Sequence, residues 1–203
     1  MANQAVDAQG LSDPSKKVIV LGVGGGIAAY KVATVCSRLC QAGHDVRVVM
    51  TRAALQFVGT ATFAALSGKP VAVDSFDQST WPLGPHIELA EGADLLVVAP
   101  ATANIIGHFA SGLAGDLLAT LYLQATCPVL LAPAMSNHMW SKPAVQRNVQ
   151  QLRCDGCRFV GPEVGWLSCR QSGEGRMSEA EAIVEAIDQC LNGPRLGHDL
   201  PAS

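Results

Sequence analysis

The sequence predicts an α/β domain: a parallel β-sheet with helices on both faces, folded as a single domain. Two observations carry this expectation. Short, mostly apolar runs recur along the chain with the length and β-branched content of strands buried on both faces. Helix-like stretches lie between them, and such alternation is what a parallel sheet requires. Size agrees, because 203 residues with 49% apolar side chains suit one domain and suffice to bury a sizeable core.

The first run is Val18-Ile19-Val20-Leu21, followed by a helical stretch over residues 27–42. The second, Val46 to Met50, leads into helical pieces over 51–55 and 60–66. The third, Leu95 to Ala99, precedes a helical stretch over 103–124 that breaks at Ser111-Gly112. The fourth, Pro128 to Leu131, precedes a helix over 143–153, and a weaker run around Phe159-Val160 precedes a last helix over 179–191. Residues 1–16 read as a mobile leader and 193–203 as a mobile tail, because both are rich in Gly, Pro, Ser and Asp without periodicity. The domain proper is therefore 17–192, without internal repeats or low-complexity tracts.

Composition excludes several classes of function. The net charge is −3, from 14 basic and 17 acidic residues, and no Lys/Arg run exists, so neither a nucleic-acid backbone nor an anionic membrane has an electrostatic footprint to meet. No apolar run is long enough to span a membrane, and the N-terminus lacks the basic flank and apolar core of a secretory signal. Seven cysteines, an odd number, point to a reducing compartment and hence to a cytoplasmic protein. Charged residues make up only 15% of the chain, against about 25% in ordinary domains. Cover by other subunits would explain this, as would a surface coated with small and hydroxyl side chains.

Ligands of such folds bind at the carboxyl ends of the strands. There the first strand runs into Gly22-Val23-Gly24-Gly25-Gly26-Ile27-Ala28-Ala29, a glycine-rich turn before a helix N-terminus that could cradle a phosphate. The same glycines would also serve tight strand-to-helix packing alone. A dinucleotide site needs an acidic residue at the end of the second strand, but Asp45 stands at its beginning and the end reads Met50-Thr51-Arg52. A mononucleotide remains compatible, with Thr51 as a hydroxyl donor. Thr102 and Asn104, at the start of a helix, read as caps or as ligands of an anion or heterocycle edge, and Asp116 reads as a cap in the same way.

Four further segments carry chemistry. Pro133-Ala134-Met135-Ser136-Asn137-His138-Met139-Trp140 places polar groups among side chains that would otherwise be core. The stretch 166–177, which contains Cys169 and is too polar and glycine-rich for core, reads as a mobile surface loop with an available thiol. His86, read at a loop end, is either a general base or a structural histidine. Cys154-Asp155-Gly156-Cys157 has redox or zinc spacing but no second pair, and reads as a structural helix-to-strand turn.

Together these segments resemble the flavin-containing cysteine decarboxylase family, most closely its phosphopantothenoylcysteine decarboxylases, over roughly Lys17 to Leu191. The anchors are residues 22–31, His86-Ile87-Glu88-Leu89, Pro100-Ala101-Thr102-Ala103-Asn104, residues 133–140, and Cys169 followed by residues 173–177. The resemblance implies a Rossmann-like, flavodoxin-like fold and FMN at a subunit boundary in a homotrimer, often built into a dodecamer. It places Gly25, Gly26, Thr51, Phe57, Thr102, Ala103, Asn104 and Met135 around the flavin, His86 and Cys169 in catalysis, and Ser136, Asn137, Met139 and Arg176 against a small-molecule substrate. It requires no metal.

The implied reaction is FMN-dependent decarboxylation of 4'-phosphopantothenoylcysteine to 4'-phosphopantetheine in coenzyme A biosynthesis. The thiol carbon is first oxidised to a thioaldehyde, carbon dioxide leaves, and the enethiolate is reduced with Cys169 as proton donor. With no room for a fused synthetase domain, a separate enzyme is expected to supply the substrate. Two departures stand out. The family pattern P-x-M-N-x-x-M-W has its carboxylate-binding asparagine where Ser136 stands, so Asn137 substitutes by a one-residue shift, or Ser136 serves with a water, or the enzyme is impaired. Arg170 stands where the family commonly has glycine. The alternatives are a decarboxylase of a peptide's C-terminal cysteine, a non-catalytic regulatory flavoprotein, and a flavin prenyltransferase. The methionine-tryptophan motif and the Cys169 segment point away from the last.

Overall fold

The computed structural model describes residues 16–193. Five parallel strands form the sheet: β1 (Val18–Val23), β2 (Asp45–Met50), β3 (Leu95–Ala101), β4 (Val129–Pro133) and β5 (Arg158–Phe159), in the order β2-β1-β3-β4-β5. The helices are α1 (Ala29–Gln41), α2 (Thr60–Ser67), α3 (Pro85–Ala90), α4 (Ala103–Ala110), α5 (Leu117–Gln124), α6 (Asn137–Trp140), α7 (Pro143–Cys154) and α8 (Ala180–Asn192). A separate antiparallel hairpin, β6 (Glu163–Trp166) and β7 (Ser172–Arg176), follows the sheet.

Strand alternation sends side chains to opposite faces and so makes two cores. Ile19, Leu21, Leu95 and Val97 point to one, where α1 contributes Val32, Val35, Cys36 and Leu39, α2 Phe63, and α8 Ile183 and Ile187. Val20, Leu96, Val98 and Leu131 point to the other, against Leu89 of α3, Ile106 and Phe109 of α4, Leu118 and Leu121 of α5, and Leu152 of α7. The α1 residues recur at the three- and four-residue spacing of one helical face. Helices thus cover both faces, as the alternating pattern predicts.

Several boundaries differ from expectation. Ile27 and Ala28 form a turn before α1, and the piece expected over 51–55 is a single 3-10 turn at Ala54–Gln56. His86 lies in the first turn of α3 rather than at a loop end. Gly84 and Pro85 start that helix, which is too short for a periodic pattern to reveal. The break between α4 and α5 spans residues 111–116. The polar stretch expected as a mobile surface loop supplies β7. Its strand pairs through main chain with few apolar side chains, so the usual alternation is missing. The expected leader, 1–16, and tail, 193–203, lie outside the described residues except for Lys16 and Gly193.

Candidate active site

The chain leaves β1 toward β2 on one side and returns to β3 on the other, so strand order reverses between β1 and β3. At the carboxyl ends of these strands lies a cavity of about 630 Å³, a size that suits a mononucleotide-scale ligand. Gly25 from the β1–α1 turn, Thr51 and Arg52 after β2, Asp74 and Phe76 from the following loop, Thr102, Ala103 and Asn104 at the start of α4, Asp116 before α5, and Met139 of α6 line it.

Glycine is needed here because three loops touch main chain to main chain. A Cβ on Gly24 would lie 2.1 Å from the Pro100 carbonyl oxygen, and one on Gly25 would lie 2.4 Å from the Ala53 Cβ and 2.8 Å from the Ala53 carbonyl carbon. Gly26 differs: its Cβ would stand 3.7 Å from Pro100 and 3.8 Å from Thr102, in ordinary contact. Thr51 is almost fully buried, and its hydroxyl accepts from the Ala54 N–H at 3.2 Å. The Thr102 hydroxyl caps α4 by accepting from the Ile105 N–H at 3.3 Å, and Asp116 caps α5 by accepting from the Ala119 N–H at 2.8 Å. Both residues therefore serve as caps and both line the cavity, so the two readings of the sequence coexist. The N-terminal ends of α4 and α5 carry partial positive charge, which favours an anionic ligand group. At the rim, Arg52 pairs with Asp74 at 2.6 Å and Phe76 is 87% exposed.

A second cluster forms beside the hairpin. The Met135 N–H donates to the Gly175 carbonyl at 2.9 Å, and Gly175, at φ +142°, leaves no room for a Cβ, which would lie 2.3 Å from the Met135 oxygen. Ser136 caps the short α6, its hydroxyl accepting from the Met139 N–H at 3.4 Å. The Asn137 carboxamide lies against Gly173, and its Oδ1 is buried without a hydrogen-bond partner. Arg176 crosses Gly165 and pairs with Glu179, which also accepts from the Lys31 ammonium at 2.9 and 3.0 Å. The Lys31 hydrogen bond above all, with the Arg176 charge added, holds the Glu179 carboxyl below its ordinary range. Cys169 is exposed in the tight turn that joins β6 to β7, next to Arg170 at φ +61°.

The chain thus brings Gly25, Thr51, Thr102, Ala103, Asn104 and Met139 to the cavity. Gly26 adjoins Thr102 without lining it, Phe57 is exposed, and Met135, Ser136, Asn137 and Arg176 group around β7. His86 and Cys169 are not among the cavity's lining residues. Arg52, Ala53, Asp74, Ser75 and Phe76 line the cavity without having been expected there. Residues 74–76 are delivered by an isolated bridge between Val49 and Ala72, too short to leave a strand-like run. The Cys154–Cys157 segment is the expected turn from α7 into β5, with Cys154 exposed and Cys157 buried. Among the described residues no cluster of three or more His, Cys, Asp or Glu could hold a metal ion, and no helix is long and apolar enough to cross a membrane.

An open cavity at a topological switch point, walled by glycine turns and helix N-termini, defines the nucleotide-binding class of α/β proteins. The chain belongs to the Flavoprotein family, whose model matches residues 8–192. It is 47% identical over 171 residues to the coenzyme A biosynthesis bifunctional protein CoaBC of Bacillus subtilis, covering 84% of this chain and 42% of that protein. It is 51% identical over 168 residues to CoaBC of Mycobacterium tuberculosis, covering 83% and 40%. The chain therefore spans about two-fifths of the length of these curated relatives. Among solved structures, a mutant PPC decarboxylase complexed with pantothenoylaminoethenethiol superposes with a TM-score of 0.76 at 30% identity, covering 85% of this chain and 97% of the other. The FMN-dependent cysteine decarboxylase SpaF superposes with a TM-score of 0.72 at 34% identity, covering 85% and 98%.

Proposed function

We propose that this chain binds FMN in the switch-point cavity and decarboxylates 4'-phosphopantothenoylcysteine to 4'-phosphopantetheine, a step of coenzyme A biosynthesis. The observation that carries the reading is the cavity, whose 630 Å³ is bounded by glycines pressed against main chain and by two helix N-termini. A flat heterocycle with one phosphate fits such a site, because the helix ends supply N–H donors while Thr51, Thr102 and Asn104 supply polar edges. The likeness to CoaBC and to PPC decarboxylase supports the choice of substrate.

Bound FMN supplies a reversible sink for an electron pair, so that carbon dioxide can leave a cysteine carboxylate with no net redox change. The chain's own residues orient, hold and move protons. Gly25, Gly26, Thr51, Phe57, Thr102, Ala103, Asn104 and Met135 hold the cofactor. Ser136, Asn137, Met139 and Arg176 hold the substrate; its carboxylate would accept from the Asn137 Nδ2 amide or from the Ser136 O–H, which remains a free donor because the hydroxyl caps α6 only by accepting. His86 accepts a proton and Cys169 donates one to the product carbon. Residues of one copy complete the site of another in a homotrimer or a dodecamer of trimers, a reading supported by the exposure of Ile27, Tyr30 and Phe57 near the glycine turns and by the low charge of the chain.

Incubation of the FMN-loaded protein with 4'-phosphopantothenoylcysteine, followed by mass spectrometry, should show loss of carbon dioxide, whereas Cys169→Ser should stall before the final reduction. A yellow protein that releases no carbon dioxide at any pH would overturn the assignment. A preference for a peptide ending in cysteine would replace the substrate.

A further inference from the structure

Helix α3 has only six residues, which is too short to persist unaided, yet it carries His86 in its first turn. Its ends are held by specific groups. At the start, the Glu88 carboxylate accepts from the Leu83 N–H at 2.7 Å. At the end, the Ile87 and Ala90 carbonyls accept from the Glu91 and Ala93 N–H groups. Those of Glu88 and Leu89 are left over, as a helix C-terminus ordinarily leaves them. The Arg47 guanidinium, reaching across from β2, takes both at 3.1 and 3.3 Å and adds the Glu91 carbonyl at 2.8 Å. A cation here also opposes the negative end of the helix.

Arg47 makes only a long ion pair, from Nε to the Asp45 carboxylate at 4.0 Å, and Asp45 also pairs with Lys69, so the Arg47 Nη1 group is directed at the carbonyls. The side chain is largely buried, and β2 ends three residues later at Met50, which with Thr51 lines the cavity. One guanidinium therefore ties the strand that builds the cavity wall to the helix that carries His86.

We infer that Arg47 is a positioning residue for His86, fixing α3 to β2 through the three carbonyls at the helix's C-terminal end. The inference rests on the proposed decarboxylase role of His86, but its geometric half stands apart from that role. The test uses the FMN-loaded full chain with Arg47→Ala and Arg47→Lys, the second retaining a cation able to donate to the same carbonyls. Two readouts are needed: the kinetics with 4'-phosphopantothenoylcysteine, and deuterium exchange at each histidine's imidazole Cε1, read by mass spectrometry.

Arg47→Ala should lower kcat at least tenfold with KM within threefold of wild type, and should change the His86 exchange rate at least threefold while His44, His108 and His138 keep theirs. Arg47→Lys should recover at least half of the His86 change. Equal His86 exchange in wild type and Arg47→Ala overturns the inference, as does an equal change at His44, His86, His108 and His138, which marks general loosening. If the wild type releases no carbon dioxide but His86 responds selectively, the functional reading falls and the positioning role is supported.

Discussion

Gly24→Ala should destabilise the fold and weaken flavin binding together, while Gly26→Ala should weaken flavin binding alone. A Cβ on Gly24 would stand 2.1 Å from the Pro100 carbonyl oxygen and 2.7 Å from the Ile105 Cδ1. A carbon needs about 3.3 Å from a carbonyl oxygen, so roughly 1 Å must open between the β1–α1 and β3–α4 turns. The obstacle is backbone and cannot rotate away, which puts the cost near the upper end of the overpacking range, about 3 kcal/mol. Reduced freedom of the unfolded chain returns about 0.4–1 kcal/mol. The net loss of about 2 kcal/mol lowers Tm by about 4–8 °C in a chain of this size. At Gly26 the added carbon meets protein only at 3.7 and 3.8 Å, so the flavin-free Tm should stay within about 2 °C of wild type. Differential scanning calorimetry of the flavin-free proteins and fluorescence titration with FMN separate the two effects. A Gly24→Ala protein with unchanged Tm and unchanged FMN affinity would refute the argument that main-chain contact at this glycine builds the cavity.

Glu179→Gln should cost at most about 1 kcal/mol at neutral pH, because its partners are partly exposed. The folded carboxyl lies below its ordinary range, so its contribution is present above about pH 4.3 and is lost as pH falls through the lower folded value; Tm curves of variant and wild type should converge in acid. Asn137→Asp has the opposite sign: a carboxylate replacing a buried, unpartnered oxygen should lower Tm at pH 7 and recover as the pH drops toward 4, as a thermal-shift series would show. Arg170→Gly should raise Tm by about 1–4 °C, since a φ of +61° costs a side chain roughly 1–2 kcal/mol, part of which is lost to the entropy of glycine. Iodoacetamide on the native protein, followed by peptide mass spectrometry, should label exposed Cys154 and Cys169 first and leave Cys36 unmodified, its thiol being buried and pushed up to about 12 by that burial and by Cys40. Rapid labelling of Cys36 would count against the packing of α1.

The sheet and the helices flanking it were legible because both depend on hydrophobic period. The runs at Val18, Val46, Leu95 and Pro128 match β1 to β4 within a residue or two at their starts, and α1, α7 and α8 carry clear apolar faces. The glycine turn, Thr51 and Thr102 could be read because strand ends and helix caps fix their places. Elements held by something other than apolar period were not legible. Helix α3 depends on Arg47 and on Glu88, hydrogen bonds that no local pattern announces. The hairpin depends on glycines whose missing side chains admit Met135, Asn137 and Arg176, so its sequence looks like a loop. Asp74 and Phe76 reach the cavity through a single bridge from Val49 to Ala72.

This contrast also divides the labour within the site. Where the three loops meet, the cavity wall is main chain, and N–H groups at helix ends respond to the charge and shape of a ligand rather than to its identity. In the proposed assembly of the site, discrimination of what reacts would then come from segments with free side chains, namely α3, α6 and the β6–β7 hairpin. These are short elements, with six, four, and four and five residues. None makes enough internal hydrogen bonds to hold itself. Each relies on tethers outside it or at its edge: Arg47 on α3, the Ser136 hydroxyl on α6, and for the hairpin the Met135–Gly175 bond with the Arg176–Glu179–Lys31 chain. Substitutions at the glycines should therefore act on cofactor affinity before turnover, whereas substitutions at the tethers should act on turnover while the cofactor stays bound.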